Sequence, residues 1–87
     1  MENEVIELLE KTLKLNGRSK TFTSGTRLRG ALPELDSLAV AALLTQIEKQ
    51  FNIRIEDDEI DGSVFATVGA LTDFILQKVK SSGAHRD

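Results

Sequence analysis

Asp36-Ser37-Leu38-Ala39-Val40-Ala41-Ala42-Leu43-Leu44-Thr45-Gln46-Ile47-Glu48-Lys49-Gln50-Phe51 is the stretch that decides the fold. Val40, Leu43, Leu44, Ile47 and Phe51 recur at i, i+3, i+4, i+7 and i+11. That spacing predicts a helix from about Ser37 to Gln50 that buries the whole stripe. Asp36 stands where an N-cap belongs, with a side chain able to accept from the free amides of the first turn. Ser37 follows at the first helical position, near the positive end of the helix dipole. A phosphate ester on its hydroxyl is favoured there by the dipole and by nearby N–H groups. Such a serine is well suited to carry a phosphodiester and poorly suited to act as an unaided nucleophile.

On the N-terminal side, Val5, Leu8, Leu9, Thr12, Leu13 and Leu15 keep approximate helical spacing, and Asn16-Gly17 gives a stop signal. A first helix over about residues 2–15 is expected. Residues 16–35 hold Gly17, Gly25, Gly30 and Pro33 with no sustained period. A connection that long in so small a chain normally has a task. Phe22, Leu28, Leu32 and Leu35 predict that it is pinned across the bundle. On the C-terminal side, Asn52-Ile53-Arg54-Ile55 alternates and should plug Ile53 or Ile55 inward. Glu56 to Asp61 reads as a short third helix ended by Gly62. Thr67 can cap a last helix in which Val68, Leu71, Phe74, Ile75 and Val79 keep the period. Leu43, Ile47 and Phe51 are expected in the core, facing Leu8, Leu71 and Ile75. The expected class is all-α: a small four-helix bundle, three longer helices and one short third helix, with a long loop between helices 1 and 2. The domain should span residues 1–80, with a disordered tail over 81–87.

Composition agrees with one small core. The chain has 87 residues, four Phe, no Trp, no Tyr and no Cys. The core must come from Leu, Ile, Val and Ala, and disulfides and thiolate metal sites are excluded. The acidic start lacks the basic flank and apolar run of a secretory signal, and no apolar run reaches the length of a membrane span. A soluble, cytoplasmic monomer is expected. The net charge of −3 divides unevenly: +2 over residues 1–31, −7 over 32–75 and +2 over 76–87. An acidic middle disfavours nucleic acid and suits basic protein surfaces.

Catalysis finds no support. The only histidine, His85, falls in the expected tail, and no Lys lies near Ser37 in sequence. Asp57-Asp58-Glu59-Ile60-Asp61-Gly62 opens like a calcium loop, but its twelfth position is Val68 where a bidentate Glu is needed. No Gly-Lys-Ser/Thr phosphate loop is present. Neither a catalytic residue nor a metal ligand is expected.

The order of these elements, from about Val5 to Val79, resembles the acyl carrier proteins, small four-helix domains that bear a phosphopantetheine arm. Asp36-Ser37-Leu38 resembles the family's attachment motif. Leu28 and Leu32, Ile47-Glu48-Lys49-Gln50-Phe51, Ile53 and Ile55, and Thr67-Val68-Gly69 add to the likeness. The resemblance implies a non-catalytic carrier whose Ser37, flanked by Asp36 and Leu38, receives 4′-phosphopantetheine from coenzyme A through a phosphopantetheinyl transferase. It further implies acyl groups held as thioesters and handled by acyl-loading and acyl-processing enzymes. Ala39, Ala42, Glu48, Glu56, Asp57, Asp58 and Glu59 would form the partner surface. A crevice for the acyl chain is expected where small Ala41 and Ala42 adjoin Leu43 and Leu44.

Three features depart from the common pattern: Leu32-Pro33-Glu34-Leu35 where a glycine often stands before the motif, Ala39-Val40-Ala41-Ala42 where the helix start is usually acidic, and a slightly longer run from Ile55 to Thr67. They point to a dedicated carrier for a specialised lipid, polyketide or secondary-metabolite pathway in place of general fatty acid biosynthesis. An aminoacyl or peptidyl carrier, and an unmodified carrier-like interaction domain, are the alternatives.

Overall fold

The computed structural model describes residues 1–84. Three α-helices form the bundle: α1 (Glu2–Leu13), α2 (Ser37–Phe51) and α3 (Val68–Ala84). Helix α1 packs against both α2 and α3. Val5, Leu8 and Leu9 of α1, Leu43 and Ile47 of α2, and Val68, Leu71 and Ile75 of α3 are buried and make the centre of the core. Leu15, Leu28, Leu32, Ile53, Val64 and Phe65 complete it from the connections.

Each helix ends on local chemistry. Helix α1 stops earlier than the Asn16-Gly17 signal suggests, because Lys14 takes the left-handed cap with φ 54° and donates to the Glu10 carbonyl. That turn lets Leu15 drop into the core with no exposure at all. The Glu10 carboxylate then reaches past the helix end and accepts from Gly17 N at 3.1 Å and from Ser19 Oγ at 2.6 Å. Helix α2 opens on Asp36, whose Oδ1 accepts from Ala39 N at 2.8 Å, and closes on Asn52 in the left-handed region. Thr67 caps α3, its Oγ1 accepting from Ala70 N at 3.0 Å.

The short third helix expected over Glu56–Asp61 is absent; two 3-10 turns, Asp57–Glu59 and Gly62–Phe65, take its place. The physical reason lies in side-chain competition for the backbone. Glu59 Oε2 accepts from Glu56 N at 2.9 Å, and Asp61 Oδ1 from Ser63 N at 2.9 Å. Both carboxylates close one-turn loops, and the acidic run has no apolar stripe to hold a longer helix down. The bundle therefore has three α-helices in place of the expected four.

The long connection is pinned, as Phe22, Leu28, Leu32 and Leu35 predict. Leu28 and Leu32 are buried, and Phe22 and Leu35 pack on the core from its edge. It is also pinned by backbone pairing, which the sequence does not display. Leu28 N donates to Ala66 O at 3.0 Å and Arg29 N to Phe65 O at 2.9 Å. In the other direction, Val68 N donates to Thr26 O at 2.9 Å and Gly69 N to Ser24 O at 2.8 Å. An isolated antiparallel bridge joins Arg27 to Thr67.

Two further expectations change. The α2 stripe is not buried throughout: Leu43 and Ile47 are, whereas Val40, Leu44 and Phe51 are partly open. The last helix continues to Ala84, so residues 81–84, expected in a disordered tail, have helical backbone. His85, Arg86 and Asp87, the rest of that tail, lie outside the described residues.

Candidate functional site

Ser37 is exposed at the first residue of α2. The Asp36 cap turns the chain in extended conformation, φ −105° and ψ −175°, immediately before it. The serine hydroxyl is thereby presented outward at a helix N-terminus whose first amides face away from the helix. Ser37 and Asp36 line a hollow of about 600 Å³. Leu35, Val40, Ile60 and Phe65 give this hollow an apolar wall, and Arg29, Asp61 and Gly62 form its other side. The partial exposure of Val40 has its explanation here: it packs on the edge of the core and also lines the hollow.

Of the two alanines expected to border a crevice, Ala42 lines a hollow and Ala41 lines none of those described. Ala41 and Ala42 are both exposed, and Ala42 borders a separate hollow of about 400 Å³ between α1 and α2, with Leu8, Thr12 and Gln46. Phe65 and Ile60 were not singled out by any sequence pattern. Their signal is faint: two large apolar residues in an otherwise acidic and small-residue run.

Other serines are in different settings. Ser19 is buried and donates to Glu10, and Ser63 donates to Asp61. Ser24 is exposed in the long connection and offers its carbonyl to Gly69. Among the described residues with placed side chains, Ser37 alone combines exposure, a capped helix start and an adjoining apolar hollow.

The residues expected around Ser37 divide by role. Leu38 is 83% exposed, the large apolar side chain most open to solvent, and does not line the hollow. Ala39 is half-buried against the core, whereas Ala42 is open on the outer face of α2. Glu48 is used internally, its Oε2 accepting from Ile55 N at 2.7 Å and tying the connection back to α2. Glu59 is likewise engaged: both its oxygens bind Lys78 Nζ, at 2.6 and 2.8 Å, which fastens the acidic turn to α3. Lys78 holds the Glu59 carboxyl below its ordinary pKa, with help from the Glu56 amide. Glu56 and Asp58 are exposed, Glu56 within 3.3 Å of Arg54. Asp57 contributes its backbone to the first 3-10 turn. The acidic segment is thus a fixed surface feature, with only part of its charge available to a partner.

The family description "phosphopantetheine attachment site" matches residues 3–75. The chain belongs to the acyl carrier protein family. The fold is similar to the solution structure of a holo acyl carrier protein from Nitrosomonas europaea, with a TM-score of 0.85 and 37% identity. The match covers 91% of this chain and 95% of that one. A comparison with curated proteins gave no match. Members of this family are non-catalytic carriers, and the cofactor of this acyl carrier protein is covalently bound 4′-phosphopantetheine. An exposed hydroxyl beside a hollow fits such a group, which needs one ester bond and room for a long, mostly neutral chain. Among the described residues, no helix is long and apolar enough to cross a membrane.

Proposed function

We propose that this acyl carrier protein bears its arm on Ser37 and serves a specialised lipid, polyketide or secondary-metabolite pathway. One observation carries the proposal: the exposed Ser37 opens α2 at the mouth of the hollow walled by Leu35, Val40, Ile60 and Phe65. Bound there, the arm supplies a terminal thiol that holds acyl groups as thioesters. The chain itself does three things. Asp36 fixes the first turn so that the Ser37 hydroxyl points out towards a phosphopantetheinyl transferase. The helix N-terminus stabilises the phosphodiester's negative charge. The apolar wall removes part of an acyl chain from water, at about 25 cal/mol for each Å² covered.

The outer face of α2 supports the specialised reading. Leu38, Ala41, Ala42 and Thr45 are exposed there, so the surface beside Ser37 is nearly neutral. Acyl-loading and acyl-processing enzymes would meet apolar contact first, and charge steering would come from Glu56, Asp58 and their neighbours. The test is intact mass after incubation with coenzyme A and a broad-range transferase. One phosphopantetheine should be added to the native chain and none to Ser37→Ala. Addition to the Ser37→Ala variant would defeat the assignment, and no addition to the native chain would favour an unmodified interaction domain.

A further inference from the structure

Next to the Ser37 hollow, and sharing Arg29 and Gly62 with it, lies a second hollow of about 480 Å³. Its walls are Arg27, Arg29, Gly30, Gly62, Ala66 and Thr67, with Ala31 at the edge, and no carboxylate is among them. Backbone pairing fixes this arrangement. Arg27-Leu28-Arg29 is tied to Phe65–Thr67 by Leu28 N to Ala66 O, Arg29 N to Phe65 O and the isolated Arg27–Thr67 bridge. Leu28 fills the core with no exposure, while Arg27 and Arg29 on either side of it are exposed and line the same hollow.

Gly62 makes room for the second guanidinium. A Cβ at that position would collide with an Arg29 terminal nitrogen and lie 3.3 Å from its central carbon. The Arg29 head is thus laid across a bare backbone, at the boundary between the two hollows. Three other cations have acidic partners: Arg18 with Glu34, Arg54 with Glu56 and Lys78 with Glu59. Among the described residues, neither Arg27 nor Arg29 makes an ion pair. The carboxylates bordering the shared crevice are Asp36 and Asp61, committed to the Ala39 and Ser63 amides respectively.

We infer that the Arg27–Arg29 hollow receives the anionic end of the cargo, so that this carrier is built for acyl groups that terminate in a carboxylate. The inference rests on attachment of the arm at Ser37. A phosphodiester fixed to Ser37 can meet Arg29 only, because Arg27 does not border the Ser37 hollow. An anion that engages both guanidiniums must sit beyond that hollow, where a tethered chain can place it. Two planar guanidiniums in one small-residue cavity suit a carboxylate, which accepts paired N–H donors. A neutral acyl chain finds no such match there and remains against Leu35, Val40, Ile60 and Phe65.

The experiment loads the protein through a transferase with succinyl- or butyryl-coenzyme A, cargoes of equal length that differ in the terminal carboxylate. Intact mass first establishes the arm on Ser37. Amide and arginine Nε–H resonances are then compared. The succinyl form should shift Gly30, Gly62, Ala66 and Thr67 and both arginine side chains relative to the butyryl form. The difference should collapse at high salt and in Arg27→Gln/Arg29→Gln, and survive in the control Arg54→Gln. The salt arm needs no variant to fold. Equal spectra for the two cargoes would overturn the inference, as would shifts that appear in full when the empty arm is added, since the phosphodiester would then be the ligand. If no arm is added to Ser37, the attachment reading fails as well; an arm added without a cargo-dependent shift removes the cargo inference alone.

Discussion

Gly69→Ala pits a gain in helix propensity against a backbone contact. Gly69 lies in the first turn of α3, and alanine there would be favoured by about 1 kcal/mol on propensity alone. A Cβ at Gly69, however, would stand 2.9 Å from the Ser24 carbonyl oxygen and 3.4 Å from Ser24 Cβ. The nearest obstacle is backbone and cannot swing aside. Relief requires the long connection to move outward by a few tenths of an ångström, which stretches the 2.8 Å bond from Gly69 N to Ser24 O. Overpacking of this kind costs about 1–3 kcal/mol, and a weakened hydrogen bond up to about 1 kcal/mol more. The contact outweighs the propensity, leaving a net loss of up to about 3 kcal/mol. For a chain of this size each kcal/mol lowers Tm by about 4–8 °C. Far-UV circular dichroism during thermal and urea unfolding measures the change. Gly25→Ala is the control, because its Cβ would meet only Thr23 Oγ1, at 4.0 Å, and its midpoint should hold or rise slightly. A Gly69→Ala midpoint equal to or above the parent's would refute the argument.

Asp36→Ala should cost about 1 kcal/mol, the usual loss for a removed cap, and slow modification at Ser37; an unchanged modification rate in a variant with the expected stability loss would show that the cap does not orient the serine. Ile47→Ala should cost about 2–5 kcal/mol because Ile47 is fully buried, while Phe51→Ala should cost less than the roughly 3–5 kcal/mol of a fully enclosed Phe. Urea midpoints in the reverse order would contradict the packing described. The carboxyls of Glu10, Glu59 and Asp61 lie below their ordinary pKa values, through hydrogen bonds first from Ser19, Lys78 and Ser63 respectively. Their stabilisation is complete at neutral pH, above the unfolded-state values, and fades as pH falls through the lowered folded-state values. Urea midpoints should decline on the acid side of the ordinary carboxylate range, with a smaller decline in Glu10→Gln; identical slopes would exclude a role for Glu10.

What the sequence displays well is what local chemistry decides. The α2 stripe, the Asp36 and Thr67 caps and the inward leucines of the long connection each depend on neighbours within a few residues. Ser37 was legible for the same reason, since a cap and a helix start are local facts. The acidic segment misleads because a helical reading of Glu56–Asp61 ignores carboxylates that bind their own backbone. Glu48, Glu59 and Glu10 look like free surface charge, yet each reaches a partner seven or more positions away. The hollow beside Ser37 is built from Leu35, Val40, Ile60 and Phe65, which lie on three different segments and share no period. The second hollow depends on a glycine and two arginines brought together by long-range pairing.

That pairing also sets an order of events during synthesis. The segment Ser24–Arg29 precedes Ser37, but its hydrogen-bond partners at Phe65–Gly69 follow it. A nascent chain that has exposed Ser37 but not yet Phe65 has no acceptors for Leu28 N and Arg29 N, and lacks one wall of the hollow. Helix α2 can form early from its own residues, yet its surroundings wait for contacts between distant parts of the chain. Completion of the hollow beside Ser37 thus waits for the C-terminal part of the domain. A transferase that recognises the serine in its finished setting would pass over chains still emerging from the ribosome.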